Sequence, residues 1–308
     1  MNNSCSSTFT IKLLHPRYWL TWMGLLLFFF ISLYPTSVRH FFGKKLGSLI
    51  YKKNTKRQHI INTNLALSFP ELNTSQRKKL AKEHLQWYGR ALFDYSFFFF
   101  ASKKRLYNNM VIEGKEHIDD ALRTGHNIMI LLGHSVMLEF VPTMLGQYYK
   151  TYGSYKPLSN PVIDWMISRN RCKHVKFVVA REEGMMRLVR ELKNEQLLIF
   201  LPDEDHGTEH SSFANFFNVP KATLNTPARI ARLTKAKSFP AMAFYDQSLG
   251  KYKIIINKAL NNYPTKDNEH NASVMNAGFE ALIRQYPEQY MWLMKLYKTQ
   301  ADSDKKRY

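Results

Sequence analysis

The stretch Asn127-Ile-Met-Ile-Leu-Leu-Gly133-His134-Ser-Val-Met-Leu-Glu139 opens with five consecutive apolar residues and then stops at a glycine and a histidine. An apolar run of that length, without polar alternation, reads as a strand buried on both faces. The chain then turns into a helical pattern over 135–149. Further out, Val175-Lys-Phe-Val-Val-Ala180, Gln196-Leu-Leu-Ile-Phe-Leu201, Ser238-Phe-Pro-Ala-Met-Ala-Phe-Tyr245 and Tyr252-Lys-Ile-Ile-Ile-Asn257 read as strands. Helical patterns lie between and after them at 182–194, 223–236 and 269–286. Strand and helix in alternation predict an α/β fold, a mixed sheet sandwiched by helices. In such folds the loops leaving the carboxyl ends of strands are the usual place for a site. Upstream, 55–100 reads as helical: Asn73-Thr-Ser-Gln gives a polar, cap-like start before apolar positions at Leu80, Leu85, Trp87 and Tyr88.

The N-terminal region has a different character. Between Arg17 and Arg39, residues Tyr18 to Val38 carry no charge and include Gly24-Leu-Leu-Leu-Phe-Phe-Phe-Ile31. That is about the ~20 residues needed to cross a bilayer core. No small-residue cleavage site follows, so the segment predicts a membrane-anchoring helix rather than a signal peptide. Positive charge is lopsided around it: Lys12 and Arg17 precede, whereas Arg39, Lys44, Lys45, Lys52, Lys53, Lys56 and Arg57 follow. The positive-inside rule then places the body on the cytoplasmic side. A second run, Tyr95-Ser-Phe-Phe-Phe-Phe-Ala101, precedes Lys103-Lys104-Arg105. Four phenylalanines turning ~100° each cannot all face one core from one helix, which suggests an interfacial segment.

The chain's 308 residues, 45% of them hydrophobic, exclude disorder for the bulk. A formal charge of +20 favours an anionic partner: nucleic acid, an anionic membrane surface or an acidic carrier. No nucleic-acid-binding module is recognisable, so no nucleic-acid partner is expected. Two cysteines, Cys5 and Cys172, are too few for a secreted disulfide scaffold and wrongly spaced for a structural zinc site.

Two loops hold the candidate chemistry. In the first, His134 stands where a buried strand ends, and Glu139 follows five residues later. If His134 leans back over the start of the helix, Glu139 reaches one ring nitrogen and fixes the tautomer, leaving the other nitrogen as a general base. In the second, Pro202-Asp203-Glu-Asp205-His206-Gly207-Thr-Glu209-His210 is too polar for core. The His206/His210 spacing raises a zinc site, but Gly207 and Thr208 disfavour the regular helix it needs, so no metal is expected. A hydrogen-bonding loop that receives a polar substrate head is the alternative.

His134-x4-Glu139 after an apolar strand resembles the His-x4-Asp/Glu motif of glycerolipid acyltransferases, in the form used by the late acyltransferases of lipid A biosynthesis. Pro202 to Ser211, Phe216-Phe217, Lys221-Ala-Thr-Leu224, Asn160-Pro161, Asp164-Trp165, Arg171, Tyr18-Trp-Leu-Thr-Trp22 and Gln289-Tyr-Met-Trp-Leu-Met-Lys295 strengthen that resemblance, most closely to the myristoyltransferase branch. The resemblance runs from about 15 to 298. It implies an acyl-carrier-protein-dependent O-acyltransferase without a cofactor, acting on a lipid A precursor at the bacterial inner membrane. It places catalytic roles on His134, Glu139, Arg171 and Asp203, with Arg169 a rival for the arginine, and substrate contacts at Arg169, Asp205, His206, Glu209 and His210. Arg171 is a candidate for either an oxyanion or a phosphate contact. Arg181, Arg187, Arg190 and Lys193 are candidates to dock the carrier. The implied organisation is a tail at 1–17, an anchor at 18–38, an acyltransferase domain at 39–298 and a polar tail at 299–308. Cys172 reads as an inert small residue, not a nucleophile. The rival readings are transfer to another glycolipid or lysophospholipid, or a non-catalytic basic protein that binds membrane surfaces.

Overall fold

The computed structural model describes residues 8–155, 157–173, 175, 177–180, 185–192, 196–301 and 307–308. Helices α1 (Trp19–Leu33), α2 (Thr36–Lys53), α3 (Thr55–Ser68), α4 (Thr74–Phe100) and α5 (Lys103–Asn108) precede β1 (Met110–Glu113). Then come α6 (Lys115–Arg123), β2 (Ile128–Leu132), α7 (Val141–Leu145), β3 (Lys150–Tyr155), α8 (Pro161–Arg171), β4 (Phe177–Ala180), α9 (Met185–Glu191) and β5 (Gln196–Phe200). The chain continues through β6 (Ser211–Phe216), β7 (Val219–Leu224), α10 (Thr226–Thr234), β8 (Lys237–Asp246), β9 (Lys251–Ile256) and α11 (Asn268–Ile283).

Seven strands form one mixed sheet in the order β1-β9-β8-β2-β5-β3-β4, with only β8 and β9 antiparallel. Strands β6 and β7 form a separate hairpin. Alternate side chains of β2 divide between two helical layers. Ile128, Ile130 and Leu132 join Phe98 of α4, Ile118 of α6 and Met144 of α7. Met129 and Leu131 join Ile230 of α10 and Phe279 of α11. The central strands are therefore apolar throughout because both faces are covered.

Helix α4 is the spine of one layer. Asn73 caps it through the Gln76 N–H at 2.9 Å, and the Gln76 side chain returns to the Asn73 N–H at 2.8 Å, a reciprocal capping box. Glycines allow α2 to touch α4 backbone to backbone: a methyl at Gly47 would stand 2.1 Å from the Leu85 carbonyl oxygen. Beside that contact the buried Arg39 guanidinium donates to Asp94 Oδ1 at 3.0 Å, the Tyr34 carbonyl at 2.7 Å and Thr36 Oγ1 at 3.0 Å. Burial pulls the Arg39 pKa down, but Tyr252 and Asp94 outweigh it and raise the value, so the charge is secure.

The anchor is two pieces of helix. Tyr34-Pro35 breaks it after Leu33, because proline cannot continue the hydrogen-bonding ladder, and α2 starts at Thr36. Pro16–Leu33 has the length and composition to cross a membrane, with mean hydropathy 1.3 and 11% of the window buried. One stripe of α1 packs on the body: Thr21 accepts from Asn160 at 3.1 Å, Trp22 lies 5.9 Å from the Trp165 ring, and Phe29 meets Phe100 edge-on. The opposite stripe, Leu20, Met23, Leu27 and Phe30, is exposed.

Several expectations change in detail. The run Phe97–Phe100 is the last turn of α4: Phe97 and Phe98 are buried in the core, while Phe99 and Phe100 are half-buried, Phe100 against Phe29 of α1. The expected helix at 135–149 contracts to a 3-10 turn, Leu138–Phe140, and α7. Strands β1, β3, β6 and β7 were not foreseen; β3, Lys150–Tyr155, holds Gly153 and polar residues that mask its strand character. At the C-terminal end, Thr299 bonds Asp205 and the Tyr308 hydroxyl bonds Asn64, so both ends of the expected tail touch the body.

His84 of α4 is fully buried and donates from Nδ1 to the Glu288 carbonyl at 3.2 Å. Burial lowers its pKa to about 4 from 6.5, against a smaller upward pull from Glu288. The unfolded chain therefore takes up a proton near pH 6.5, while the folded one resists until about pH 4. Stability is fully present above pH 6.5 and falls by about 3 kcal/mol on going down to pH 4. Urea unfolding in detergent across that window should show the drop, and His84→Gln should flatten it.

Candidate functional site

Strands β2 and β5 are parallel neighbours with Leu131 opposite Phe200. Extending that pairing by three residues brings His134 opposite Asp203, and the side chains meet there. His134 Nδ1 lies 2.5 Å from Asp203 Oδ1, and the His134 backbone N–H donates to Oδ2 at 2.7 Å. The Tyr290 hydroxyl also donates to Oδ2, at 3.1 Å. Asp203 is 3% exposed, so these three donors replace its hydration. Burial pushes its pKa up, but the His134 charge and hydrogen bonds and the Lys221 charge prevail and hold it below the usual carboxylate range. Burial drives the Tyr290 phenol well above its ordinary value, keeping it a donor.

The loop carrying His134 is pinned from the C-terminal side. Ser135 bridges Tyr290, the Val136 N–H donates to the Gln289 carbonyl at 2.9 Å, and the Met291 N–H donates to the His134 carbonyl at 3.0 Å. Gln289 is fixed in turn, its side-chain amide exchanging two hydrogen bonds with the Tyr245 backbone at 2.8 and 3.0 Å. Behind the histidine, a side chain at Gly133 would meet Met242 and Phe279.

A carboxylate on Nδ1 holds that nitrogen protonated, which puts the neutral ring's acceptor lone pair on Nε2. Nε2 lies 3.5 Å from Glu204 Oε1, and the imidazole retains 16% exposure, enough for access from one side. Such an arrangement can accept a proton at Nε2 from an approaching hydroxyl.

The partner expected for His134 is corrected by this geometry. Residues 134–137 do not form the first turn of a helix but run as chain pinned to Gln289–Met291, so Glu139 is not carried over the imidazole. Both oxygens of Glu139 instead engage Arg171 at the end of α8: Nε donates to Oε2 at 3.0 Å and Nη2 to Oε1. Burial lowers the Arg171 pKa, but Glu139 more than compensates and raises it, so the guanidinium stays charged. Arg169, two residues before, is exposed and stacks over Trp165 at 5.4 Å.

The second loop separates into parts with different partners. The Asp205 carboxylate accepts from the Gly207 N–H at 3.0 Å and from the Thr299 N–H and hydroxyl at 2.6 and 2.7 Å, so it holds the loop closed. His206 lies 3.7 Å from Glu204, close to the imidazole of His134. Glu209 and His210 are strongly exposed, 3.8 Å from each other. His206 and His210 thus face different carboxylates and do not share a centre; among the described residues no group of three or more metal-ligating side chains converges. Cys172 has no free thiol. Of the basic residues proposed to dock a carrier, Arg187 and Arg190 lie on α9, while Arg181 and Lys193 fall outside the described residues.

Glu204, Tyr290 and Lys221 join the site without having been singled out for it. Three consecutive acids at 203–205 are a signal to look for a nearby cation, and among the described residues Lys221 interacts electrostatically with all three.

A family model described as bacterial lipid A biosynthesis acyltransferase matches residues 6–299. The chain is 30% identical over 297 residues to a lipid A biosynthesis acyltransferase of Haemophilus influenzae, covering 96% of this chain and 93% of the relative. It is 30% identical over 302 residues to the lipid A biosynthesis palmitoleoyltransferase of Escherichia coli, covering 97% and 98%. It is 27% identical over 298 residues to the lipid A biosynthesis myristoyltransferase of the same organism, covering 96% and 91%. These identities do not distinguish the myristoyltransferase branch from the others.

Gly133→Ala would place a methyl 2.4 Å from Met242 Cε and 3.1 Å from the Phe279 ring. We expect a loss of about 1–3 kcal/mol from overpacking, read as a lower urea midpoint.

Proposed function

The chain belongs to the bacterial lipid A biosynthesis acyltransferases, and we propose that it carries a fatty acyl group from an acyl carrier protein thioester to the hydroxyl of a hydroxyacyl chain on a (Kdo)2-lipid A precursor. The observation that carries the mechanism is the in-register contact of His134 with Asp203 at the carboxyl ends of two neighbouring strands. His134 Nε2 removes the proton from the acceptor hydroxyl as its oxygen attacks the thioester carbonyl. The tetrahedral oxyanion then collapses, the carbon–sulfur bond breaks, and the imidazolium returns the proton to the departing thiolate. Asp203 stabilises the imidazolium and keeps the ring in place.

Arg171 spends Nε and Nη2 on Glu139, so the pair acts as a fixed unit whose Nη1 is turned to an anionic oxygen of the substrate. Glu139 therefore serves the reaction by aiming Arg171, and the role of orienting the base passes to Asp203. Arg169, His206, Glu209 and His210 flank the mouth of this arrangement and supply polar contacts for the sugar and phosphate head. Asp205 shapes that mouth through its hold on Thr299. The net charge of +20 suits an acidic carrier and a phosphorylated lipid alike, with Arg187 and Arg190 of α9 offered to the carrier.

At the inner membrane, α1 supplies the anchor. Its inward stripe is committed to α4 and α8 along most of its length, which favours a helix lying in the cytoplasmic leaflet over one that leaves the body to span. Lys44 and Lys45, exposed just beyond the break, suit anionic headgroups on the cytoplasmic face.

Two measurements test this reading. Purified protein given an acylated carrier and a tetra- or penta-acylated precursor should add one acyl chain, read by mass spectrometry. His134→Ala should lower the rate by about 10³-fold or more, and Asp203→Asn by about 10²–10⁴-fold, in folded protein. Absence of transfer to either acceptor, or full activity in His134→Ala, sinks it. For the anchor, bimane probes on Leu20→Cys and Phe30→Cys, about 15 Å apart along the helix, should be quenched equally by lipids brominated at one shallow depth. Depths that differ by most of that separation would mean a spanning helix.

A further inference from the structure

Asp203 and Glu204 lie against the two nitrogens of the His134 imidazole, Asp205 follows in the same loop, and among the described residues a buried cation stands near all three. Lys221, the third residue of β7, is 1% exposed and ranks among the largest fully buried side chains. Its ammonium lies 5.5 Å from the centroid of the Phe216 ring and within electrostatic reach of Asp203, Asp205 and Glu204. It forms no direct ion pair with a described residue. Burying an ammonium costs several kcal/mol unless neighbouring charge offsets it. Burial lowers the Lys221 pKa, and the three carboxylates oppose that fall. A site requiring only bulk would be filled by Met or Leu without this cost.

We propose that Lys221 is a positioning residue for the reaction: it supplies the countercharge that keeps His134 able to act as a base among three carboxylates. The inference rests on the reading of His134 as the proton acceptor. Carboxylates at both ring nitrogens, Asp203 at 2.5 Å and Glu204 at 3.5 Å, favour the imidazolium, which has no lone pair to accept a proton. Among the described residues, the charged and titratable groups near the ring and its loop are these two, Asp205 and His206 from the loop after β5, Tyr290 from the C-terminal segment and Lys221 from β7. Tyr290 stays neutral, and the Glu139–Arg171 pair sums to zero. Among the described residues, Lys221 is therefore the cation that balances the acidic loop. Its positive charge offsets the carboxylates across the short distance to the ring, and it touches no substrate because it is buried behind them.

The test uses the full chain in detergent. Lys221→Met keeps the bulk and removes the charge; Lys221→Arg keeps the charge. The acid limb of the pH–rate profile for acyl transfer should move up by about one pH unit in Lys221→Met, with the alkaline plateau retained, and stay in place in Lys221→Arg. Adding Glu204→Gln to Lys221→Met should bring the limb back down. A structural role alone would lower the rate at every pH and leave the limb unmoved. Titration of the His134 carbon signal in [13C]histidine-labelled protein, assigned by its loss in His134→Ala, should show the same displacement without any turnover. That signal decides the proposal even if His134→Ala proves active and the catalytic reading fails. Where Lys221→Met does not fold, Lys221→Gln is titrated in its place. An unmoved titration in either folded variant, or an equal displacement in Lys221→Arg, overturns the proposal.

Discussion

A buried carboxylate sets the terms for the rest of the molecule. Asp203 is almost wholly removed from water, and a charge in that position survives only if the protein replaces its hydration. The replacements come from distant parts of the chain: the imidazole and backbone N–H of His134, the phenol of Tyr290 and the ammonium of Lys221. The parallel pairing of β2 with β5, the C-terminal segment and the β6–β7 hairpin must all be in place before that carboxylate is satisfied. Fold and chemistry are thereby joined, since the groups that make Asp203 tolerable also orient the base.

The two ion pairs nearest the chemistry have different characters. His134 with Asp203 is a couple whose proton can move outward through Nε2. Arg171 with Glu139 is a bidentate pair in which the guanidinium stays charged. A histidine followed at five residues by a glutamate suggests one couple from these four residues. The structure divides them into two, one suited to proton transfer and one to holding an anion.

Much of this was legible in the chain. Apolar runs at 127–133 and 196–201 are long enough to identify central strands, and the residues just beyond them hold the dyad. The capping sequence Asn73 to Gln76 marks the start of α4 because both its hydrogen bonds are local. The histidine's partner was not legible: neighbouring strands need not be consecutive in sequence, and only the sheet order reveals that β5 lies beside β2. Strand β3 is hidden because Gly153, Ser154 and Lys150 dilute its apolar signal, and the division of the phenylalanine run between core and α1 is not legible because α1, packed against Phe100, is remote in sequence.

The dyad's dependence on sheet register has an evolutionary side. His134 and Asp203 meet because two strands lie side by side, whatever the length of chain between them. That intervening stretch, from α7 through α9, can gain or lose residues in its loops without separating the two groups, because closing a longer loop adds little free energy. A single residue inserted within β2 or β5 would turn the dyad's side chains to opposite faces. Loop length between the strands is thus a free variable of this fold, and strand length is not.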